Sequence, residues 1–246
     1  MTDVVLREDN GRITTLILNR PDALNAITME MFEQLRAHID AIAKAGTDIG
    51  CVILRGNGRA FSAGHDLNDI EGGGELENAN YQAATLEALA ALPQPTIAAV
   101  HGYCFTGALE VALAADIIIV DESTILADTH TQWGLTPVWG MTQRLPRRIG
   151  QSRAKDLMFT SRRVAACEAY TIGLVDKVVS DGMLVAETQT YAELVIANSP
   201  YSQSAIKNIL AKTDGLRLND GLDYEYTNSP GAAEDMQERV NKFTKK

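Results

Sequence analysis

Residues 95–120 read PTIAAVHGYCFTGALEVALAADIIIV and place a helical pattern between two apolar runs. The first run, TIAAVHGYC (96–104), predicts a short buried strand, because it is continuous, apolar and preceded by prolines. Gly107 opens a predicted helix, GALEVALAA, which ends at Asp116, and DIIIVDE (116–122) is predicted as the next strand. Short apolar strands that alternate with helices are typical of an α/β domain.

The same alternation continues on both sides of this segment. The other predicted strands are 4–8, 12–19, 51–56, 124–128 and 175–180. The other predicted helices are 28–45, 80–91, 141–149, 151–160, 164–172, 183–198, 201–213 and, in pieces, 216–243. Thr28 can cap the first helix with its hydroxyl, and Gly46 ends it. The polar, Gly-rich segment EGGGELENAN (71–80) is predicted to be a mobile flap.

Composition restricts the class of partner. The chain has 246 residues, of which 46% are hydrophobic, enough to build the full core of one large domain. Its net charge of −10 argues against nucleic acid or an anionic membrane as a partner, because both require a basic surface. A phosphorylated ligand stays possible, since a few local Arg and Lys side chains can hold it.

Cysteine usage and the N-terminus predict a cytoplasmic protein. The three cysteines, Cys51, Cys104 and Cys167, are far apart in the sequence, so we expect each to be a buried thiol in a reducing compartment. The N-terminal MTDVVLRED lacks the apolar region of a signal peptide. No apolar run approaches the ~20 residues that span a bilayer. No cluster has the spacing of metal ligands, so no metal is expected.

The loop GRAFSAGHDL (58–67) allows three interpretations. As a nucleophile elbow, its A-x-S-x-G differs by one residue from G-x-S-x-G, but no strand runs directly into Ser62. Only His101 or His130 could then serve as its base. As a dinucleotide fingerprint, Gly56-Asn-Gly58 lacks the third glycine and the helix that the motif requires.

The third interpretation uses the backbone. Small residues at Ser62-Ala-Gly64 let main-chain N–H groups point at a ligand. Gly107, at the start of the helix GALEVALAA, offers a second donor, and two N–H groups aimed at one oxygen form an oxyanion hole. Glu110 projects from the same helical turn, in a segment that is otherwise apolar. A buried carboxylate next to such a donor indicates function more than it indicates helix capping.

Four segments of the chain together resemble the enoyl-CoA hydratase/isomerase (crotonase) family. They are LNRPDALNA (18–26), GRAFSAGHDL (58–67), PTIAAVHGYCFTGALEVALAADIIIV (95–120) and GLTPVWGMTQRLPRRIG (134–150). The resemblance implies an α/β spiral of repeated β-β-α turns in residues 1–190. It also implies a helical region, 191–246, that assembles homotrimers or hexamers, the latter as dimers of trimers.

The resemblance also implies a ligand and a site. The ligand is an acyl-CoA thioester, with coenzyme A as part of the substrate and no separate cofactor. Its carbonyl would be held by the backbone N–H groups of His65 and Gly107. Contacts to CoA would come from Leu24, Ala63, Gly64, Asp66 and Leu67. Ser62 would then be a small spacer beside the oxyanion hole.

The catalytic pair departs from the family pattern. Hydratases of this family use two glutamates, and Glu110 occupies the first position. The second position is taken by His130, which is either an acid–base group or a lining residue. The resemblance implies hydration of a trans-2-enoyl-CoA. The alternatives are double-bond isomerisation, a methylmalonyl-CoA-type decarboxylation and a non-catalytic acyl-CoA-binding role. The methylmalonyl-CoA decarboxylase relative carries a catalytic tyrosine at the position of Val138.

The remaining histidines and the two tryptophans have structural interpretations. His101 is interpreted as structural, and His38, on the first helix, is expected to be solvated. Trp133 and Trp139 flank the His130 loop and can shape an acyl pocket, although core packing is expected for at least one of them.

Overall fold

The computed structural model describes residues 3–66 and 74–244. Its main sheet has six strands in the order β1-β2-β3-β4-β6-β9, of which β1 and β2 are antiparallel and all other neighbours are parallel. These strands are β1 (Val5–Asn10), β2 (Ile13–Leu18), β3 (Cys51–Gly56), β4 (Thr96–Val100), β6 (Ile117–Asp121) and β9 (Lys177–Val179). Parallel strands joined by helices confirm the predicted α/β class.

A second, three-stranded sheet contains β5 (Tyr103–Phe105), β7 (Ile125–Ala127) and β8 (Val164–Ala165). β4 belongs to the main sheet, the next strand β5 belongs to the small sheet, and a helix follows β5. The next two strands repeat this arrangement, with β6 in the main sheet and β7 in the small sheet. The prediction of one strand over 96–104 is wrong, because the chain turns at Gly102. That residue has φ +61°, and a Cβ there would lie 2.3 Å from the carbonyl oxygen of Arg59. An apolar run alone does not reveal such a turn.

The helices largely follow the predicted boundaries. They are α1 (Met29–Ala45), α2 (Gly74–Ala90), α3 (Gly107–Leu113), α4 (Met141–Ile149), α5 (Gln151–Thr160), α6 (Ala166–Thr171), α7 (Leu184–Ile196), α8 (Pro200–Thr213), α9 (Leu218–Asn228) and α10 (Met236–Thr244). Thr28 caps α1 as expected, because its hydroxyl accepts a hydrogen bond from the backbone N–H of Met31. α2 begins at Gly74, so the predicted helix start at residue 80 is wrong; that 71–80 form a mobile flap stays a prediction, and residues 71–73 lie outside the described part.

The core lies on both faces of the main sheet. One face packs against α1, α3 and α4, with Phe32 and Phe61 fully buried. On the other face, α7 covers the strands through Ala192 and other apolar residues. The predicted division between residues 190 and 191 falls inside α7. It stays a prediction.

Two single-residue expectations are wrong. Cys51 and Cys104 are buried, but Cys167 is exposed on α6. His38 is half-buried and its Nε2 contacts the carbonyl oxygen of Val5 at 3.3 Å, because α1 packs next to β1. Among the described residues, no helix is long and apolar enough to cross a bilayer.

Candidate functional site

A cavity of about 400 Å³ opens where the loop after β3, the start of α3 and the loop after β7 meet. Six of the residues assigned from the sequence to catalysis, the oxyanion hole or CoA contacts line it: Ala63, His65, Asp66, Gly107, Glu110 and His130. These residues come from three segments of the chain that are far apart in sequence. The parallel strands bring their ends to one place, as is usual for sites in α/β proteins.

The loop after β3 is held against β5 by backbone hydrogen bonds. The N–H of Ser62 donates to the carbonyl of Tyr103 (3.0 Å), and Ser62 forms a parallel bridge with Cys104. Gly64 has φ +104°, and a Cβ there would lie 2.8 Å from the carbonyl oxygen of Phe105. Glycine therefore lets the loop approach the chain just before Gly107, which places His65 and Gly107 on the same cavity.

The Ser62 hydroxyl forms hydrogen bonds with nearby backbone groups. It is fully buried, donates to the carbonyl of Asn25 (2.7 Å) and accepts from the N–H of Gly64 (3.1 Å). His101, one of the two bases considered, instead contacts the carbonyl oxygen of Gly58 through Nε2 (2.9 Å). This arrangement gives no support to a serine hydrolase.

We expect Ser62→Ala to lower the free energy of unfolding by about 1–3 kcal/mol, because two buried backbone groups lose their partner. We also expect a fluorophosphonate probe to leave the native protein unlabelled. Denaturant titration and mass spectrometry check the two results. Labelling that disappears in Ser62→Ala would restore the hydrolase interpretation.

Glu110 is the most buried carboxylate of the cavity. It lies on α3, every residue of which is buried, and is itself 1% exposed. Its Oε1 accepts hydrogen bonds from the N–H groups of Trp139 (3.0 Å) and Met141 (2.9 Å). Burial raises the pKa of Glu110 from 4.5 to about 7, although these N–H groups and His130 oppose the shift. A carboxylate with a pKa close to neutrality can both take and return a proton.

Because the pKa of Glu110 is higher in the folded state, its ionisation weakens folding as the pH rises from 4.5 to about 7. Glu110→Gln removes this titration while its amide oxygen can still accept both N–H bonds. We expect the unfolding free energy of the variant, relative to the native protein, to rise by about 1–3 kcal/mol between about pH 5 and pH 8. Denaturant titrations at both pH values measure it. A difference that does not change with pH, as expected for the exposed Glu122→Gln, would contradict the burial argument.

His130 faces Glu110 from the loop after β7. Its Nε2 lies 3.7 Å from Oε2 of Glu110, and its Nδ1 lies 2.5 Å from Oδ1 of Asp128. All three side chains are buried. The His130 loop is tied to the start of α3, because the hydroxyl groups of Thr106 and Thr129 are hydrogen-bonded to each other. The structure therefore joins Glu110 and His130 into one acid–base cluster.

Asp128 was not among the site residues predicted from the sequence. Its signal was available, because it stands two residues before His130 in ADTH, at the end of a predicted buried strand. A buried carboxylate at a strand end needs a partner. The hydrogen bonds that the N–H groups of Trp139 and Met141 donate to Glu110 could not be predicted, because every residue except proline has a backbone N–H.

The two tryptophans differ in position. Trp139 is 2% exposed, and its ring packs edge-on against Phe32 at a centroid distance of 4.8 Å. Its Nε1 donates to Oε1 of Gln82 (3.0 Å). Trp133 also lines the cavity but is 56% exposed. Core packing, expected for at least one of them, is found for Trp139.

The residues predicted to contact CoA are only partly at the cavity. Ala63 and Asp66 line it, and Asp66 forms an ion pair with Arg20 at 2.9 Å. Leu24 does not line the cavity, but its carbonyl accepts a hydrogen bond from the N–H of Ala63 (2.9 Å). Gly64 forms the close approach to Phe105. Leu67 lies outside the described residues. Within residues 3–66 and 74–244, no group of three His, Cys, Asp or Glu side chains could hold a metal ion.

Comparisons with known proteins agree with this geometry. A family model described as enoyl-CoA hydratase/isomerase matches residues 8–246. YngF of Bacillus subtilis, to which that activity is provisionally assigned, is 39% identical over 88% of this chain and 84% of its own length. The short-chain-enoyl-CoA hydratase of Clostridium acetobutylicum is 30% identical over 90% of this chain and 86% of its own.

A solved structure extends the likeness to three dimensions. The enoyl-CoA hydratase of Bacillus anthracis superposes with a TM-score of 0.94 at 32% identity, over 98% of this chain and 96% of that one. This likeness confirms the predicted crotonase-like fold. With a family model that matches nearly its whole length, the chain belongs to the enoyl-CoA hydratase/isomerase family.

Proposed function

We propose that the protein is an enoyl-CoA hydratase that adds water across the double bond of a trans-2-enoyl-CoA. The observation that carries the proposal is the placement of Glu110. Its carboxylate is buried in the cavity, fixed by two backbone N–H groups, and has its second oxygen 3.7 Å from the ring of His130. Two proton-transfer groups on one cavity are what the addition of water requires.

The substrate carbonyl is expected to lie against the N–H groups of His65 and Gly107. Attack of water at the β-carbon pushes electrons onto the thioester oxygen, and two N–H donors stabilise the resulting enolate. Gly107 is the first residue of α3, where backbone N–H groups have no partner within the helix. Both residues line the cavity, which supports this assignment.

Glu110 and His130 would divide the proton transfers between them. Glu110 takes a proton from the attacking water, whose oxygen bonds to the β-carbon. His130 gives a proton to the α-carbon as the enolate collapses, so the product is a 3-hydroxyacyl-CoA. A proton then passes from Glu110 to His130, through one water or after the side chains close their 3.7 Å separation, and restores the starting state.

The alternatives use the same enolate and differ in its fate. Isomerisation moves a proton between carbons without adding water, and decarboxylation forms the enolate by loss of CO2. Val138 lines the cavity where a decarboxylase relative is expected to carry a tyrosine, which counts against that reaction. The buried acid–base cluster counts against a non-catalytic acyl-CoA-binding role.

The partners that we propose are an acyl-CoA thioester and further copies of this chain. CoA would lie along the segment from Ala63 and near Leu24. A homotrimer, or a hexamer built from two trimers, is supported by the C-terminal helices α8 and α9, which bury no residue within the chain. Their exposed apolar side chains include Ile206, Leu210, Leu218, Leu222 and Tyr226. A cytoplasmic location and the absence of a separate cofactor stay predictions.

Turnover of crotonyl-CoA by the purified protein tests the proposal. Hydration removes the absorbance of the conjugated thioester and yields a product heavier by one water, whereas isomerisation leaves the mass unchanged. A malonyl-type thioester, assayed in parallel, loses CO2 only if the decarboxylase alternative holds. Crotonyl-CoA and longer 2-enoyl-CoA thioesters that all bind without gaining water would overturn the hydratase proposal.

A further inference from the structure

We propose that Asp128 is a positioning residue that turns His130 into the functional equivalent of the missing second glutamate. The inference deepens the proposed hydratase function and rests on it. It starts from the side chains of Glu110, Asp128 and His130, which form one buried row with the imidazole in the middle.

The contacts of Asp128 set the tautomer of His130. Oδ1 of Asp128 accepts hydrogen bonds from both Nδ1 (2.5 Å) and the backbone N–H (3.2 Å) of His130. A carboxylate next to Nδ1 requires the proton to be on that nitrogen. Nε2 of the neutral ring then has its lone pair directed towards Glu110 and can accept a proton. Without Asp128, the ring could take the other tautomer and would have no proton-accepting nitrogen at this place.

Asp128 also changes the net charge of the site. A glutamate at this position would alternate between a charge of −1 and a neutral acid. A histidine alone would alternate between neutral and +1, which adds one unit of positive charge to each state of a buried site. Asp128 removes this difference, because the Asp–His pair has charge −1 when His130 is neutral and zero when it is protonated. The pair therefore repeats the charge states of a carboxyl group.

The surroundings of the Asp128–His130 pair support the same role. Oδ2 of Asp128 is buried and has no hydrogen-bond partner among the described residues. In the part of the chain that the structure describes, the other charged groups on the cavity wall or interacting with Glu110 are Asp66, which is paired with Arg20, and Arg144, which interacts electrostatically with Glu110. None of them can take the place of Asp128 at Nδ1. A carboxylate left with an unpaired buried oxygen is costly, and orientation of His130 is the role that this geometry offers.

The tautomer of His130 tests the inference without any need for turnover. The chain has four histidines, so ¹⁵N-labelled histidine gives four ring systems, and His130→Gln identifies the one of interest. In the native protein we expect Nδ1 of His130 to carry a proton. In Asp128→Asn the amide can donate to Nδ1, so we expect a ring whose proton is on Nε2 alone. A native ring without a proton on Nδ1 would overturn the inference, even if Asp128→Asn fails to fold.

Kinetics supply the second readout. We expect Asp128→Asn to lower kcat about 10²–10³-fold with KM changed by less than about threefold, since the loss falls on proton transfer and not on binding. Asp40→Asn, which removes an exposed carboxylate on α1, is the matched control and should leave kcat unchanged. If Asp128 acts through His130, Asp128→Asn should lower kcat less than about threefold when it is made in the His130→Gln variant.

The two proposals can fail separately. A native protein that hydrates no enoyl-CoA but has His130 protonated on Nδ1 would overturn the proposed function and support the orienting role of Asp128. Full hydratase activity in Asp128→Asn would overturn the role of Asp128 and leave the proposed function in place.

Discussion

Glu110→Gln is expected to lower kcat for the hydration of crotonyl-CoA about 10³-fold, with little change in the affinity for acyl-CoA. The amide cannot take a proton from water, but its oxygen can still accept the N–H bonds from Trp139 and Met141. The variant should therefore fold, and the loss should fall on the chemical step. Steady-state kinetics and the binding of a saturated acyl-CoA measure the two effects independently.

The matched control is Glu122→Gln, which makes the same change at an exposed position outside the cavity. It should leave kcat unchanged. The pH dependence of kcat/KM gives a further check. Burial raises the pKa of Glu110 to about 7, so kcat/KM of the native enzyme should fall as the pH drops below this value. A Glu110→Gln enzyme that keeps more than a tenth of native kcat would rule out Glu110 as the base.

Gly107→Ala is expected to lower kcat at least about 10²-fold and the free energy of unfolding by about 1–3 kcal/mol. A Cβ at Gly107 would lie 2.4 Å from Cζ3 of Trp139, far closer than two carbon atoms can approach. The indole is held by its hydrogen bond to Gln82 and by its contact with Phe32. Either the ring or the Gly107 backbone must move, and the second movement displaces an oxyanion-hole donor.

Gly221→Ala provides the matched control for this variant. Gly221 also lies in a helix, but a Cβ there would come no closer than 3.9 Å to another residue, so alanine should stabilise α9 slightly. The double variant Gly107→Ala/Trp139→Leu separates crowding from other causes. Removing the indole should restore part of the kcat lost in Gly107→Ala. A Gly107→Ala enzyme with native kcat and native stability would contradict the contact.

Elements with strong local patterns could be predicted from the sequence. The predicted bounds of 51–56, 141–149 and 151–160 agree with β3, α4 and α5 to the residue. A continuous apolar run, or a helical period that ends at glycine, depends only on neighbours in the chain. Segments that depend on distant contacts were less predictable. The strand predicted at 96–104 is divided because Gly102 must pass close to the backbone of Arg59.

The candidate site shows the same division. Sequence motifs were enough to select His65, Gly107, Glu110 and His130 as a group, and all four line one cavity. Asp128 was not selected although it stands two residues before His130, because this spacing does not show its 2.5 Å contact with Nδ1 of His130. Sequence motifs also could not show that the Ser62 hydroxyl donates a hydrogen bond to the backbone carbonyl of Asn25.

The sequence by itself determined the alternation of strands and helices, the family and the residue types available for catalysis, because these are carried by short motifs and by their order along the chain. Only the tertiary structure decided how those residues work together. The raised pKa of Glu110 comes from burial, and the position of His130 next to it comes from a loop that is hydrogen-bonded to Thr106, directly before α3. Both arise when parallel strands bring remote segments together, a long-range effect that local sequence preference does not contain.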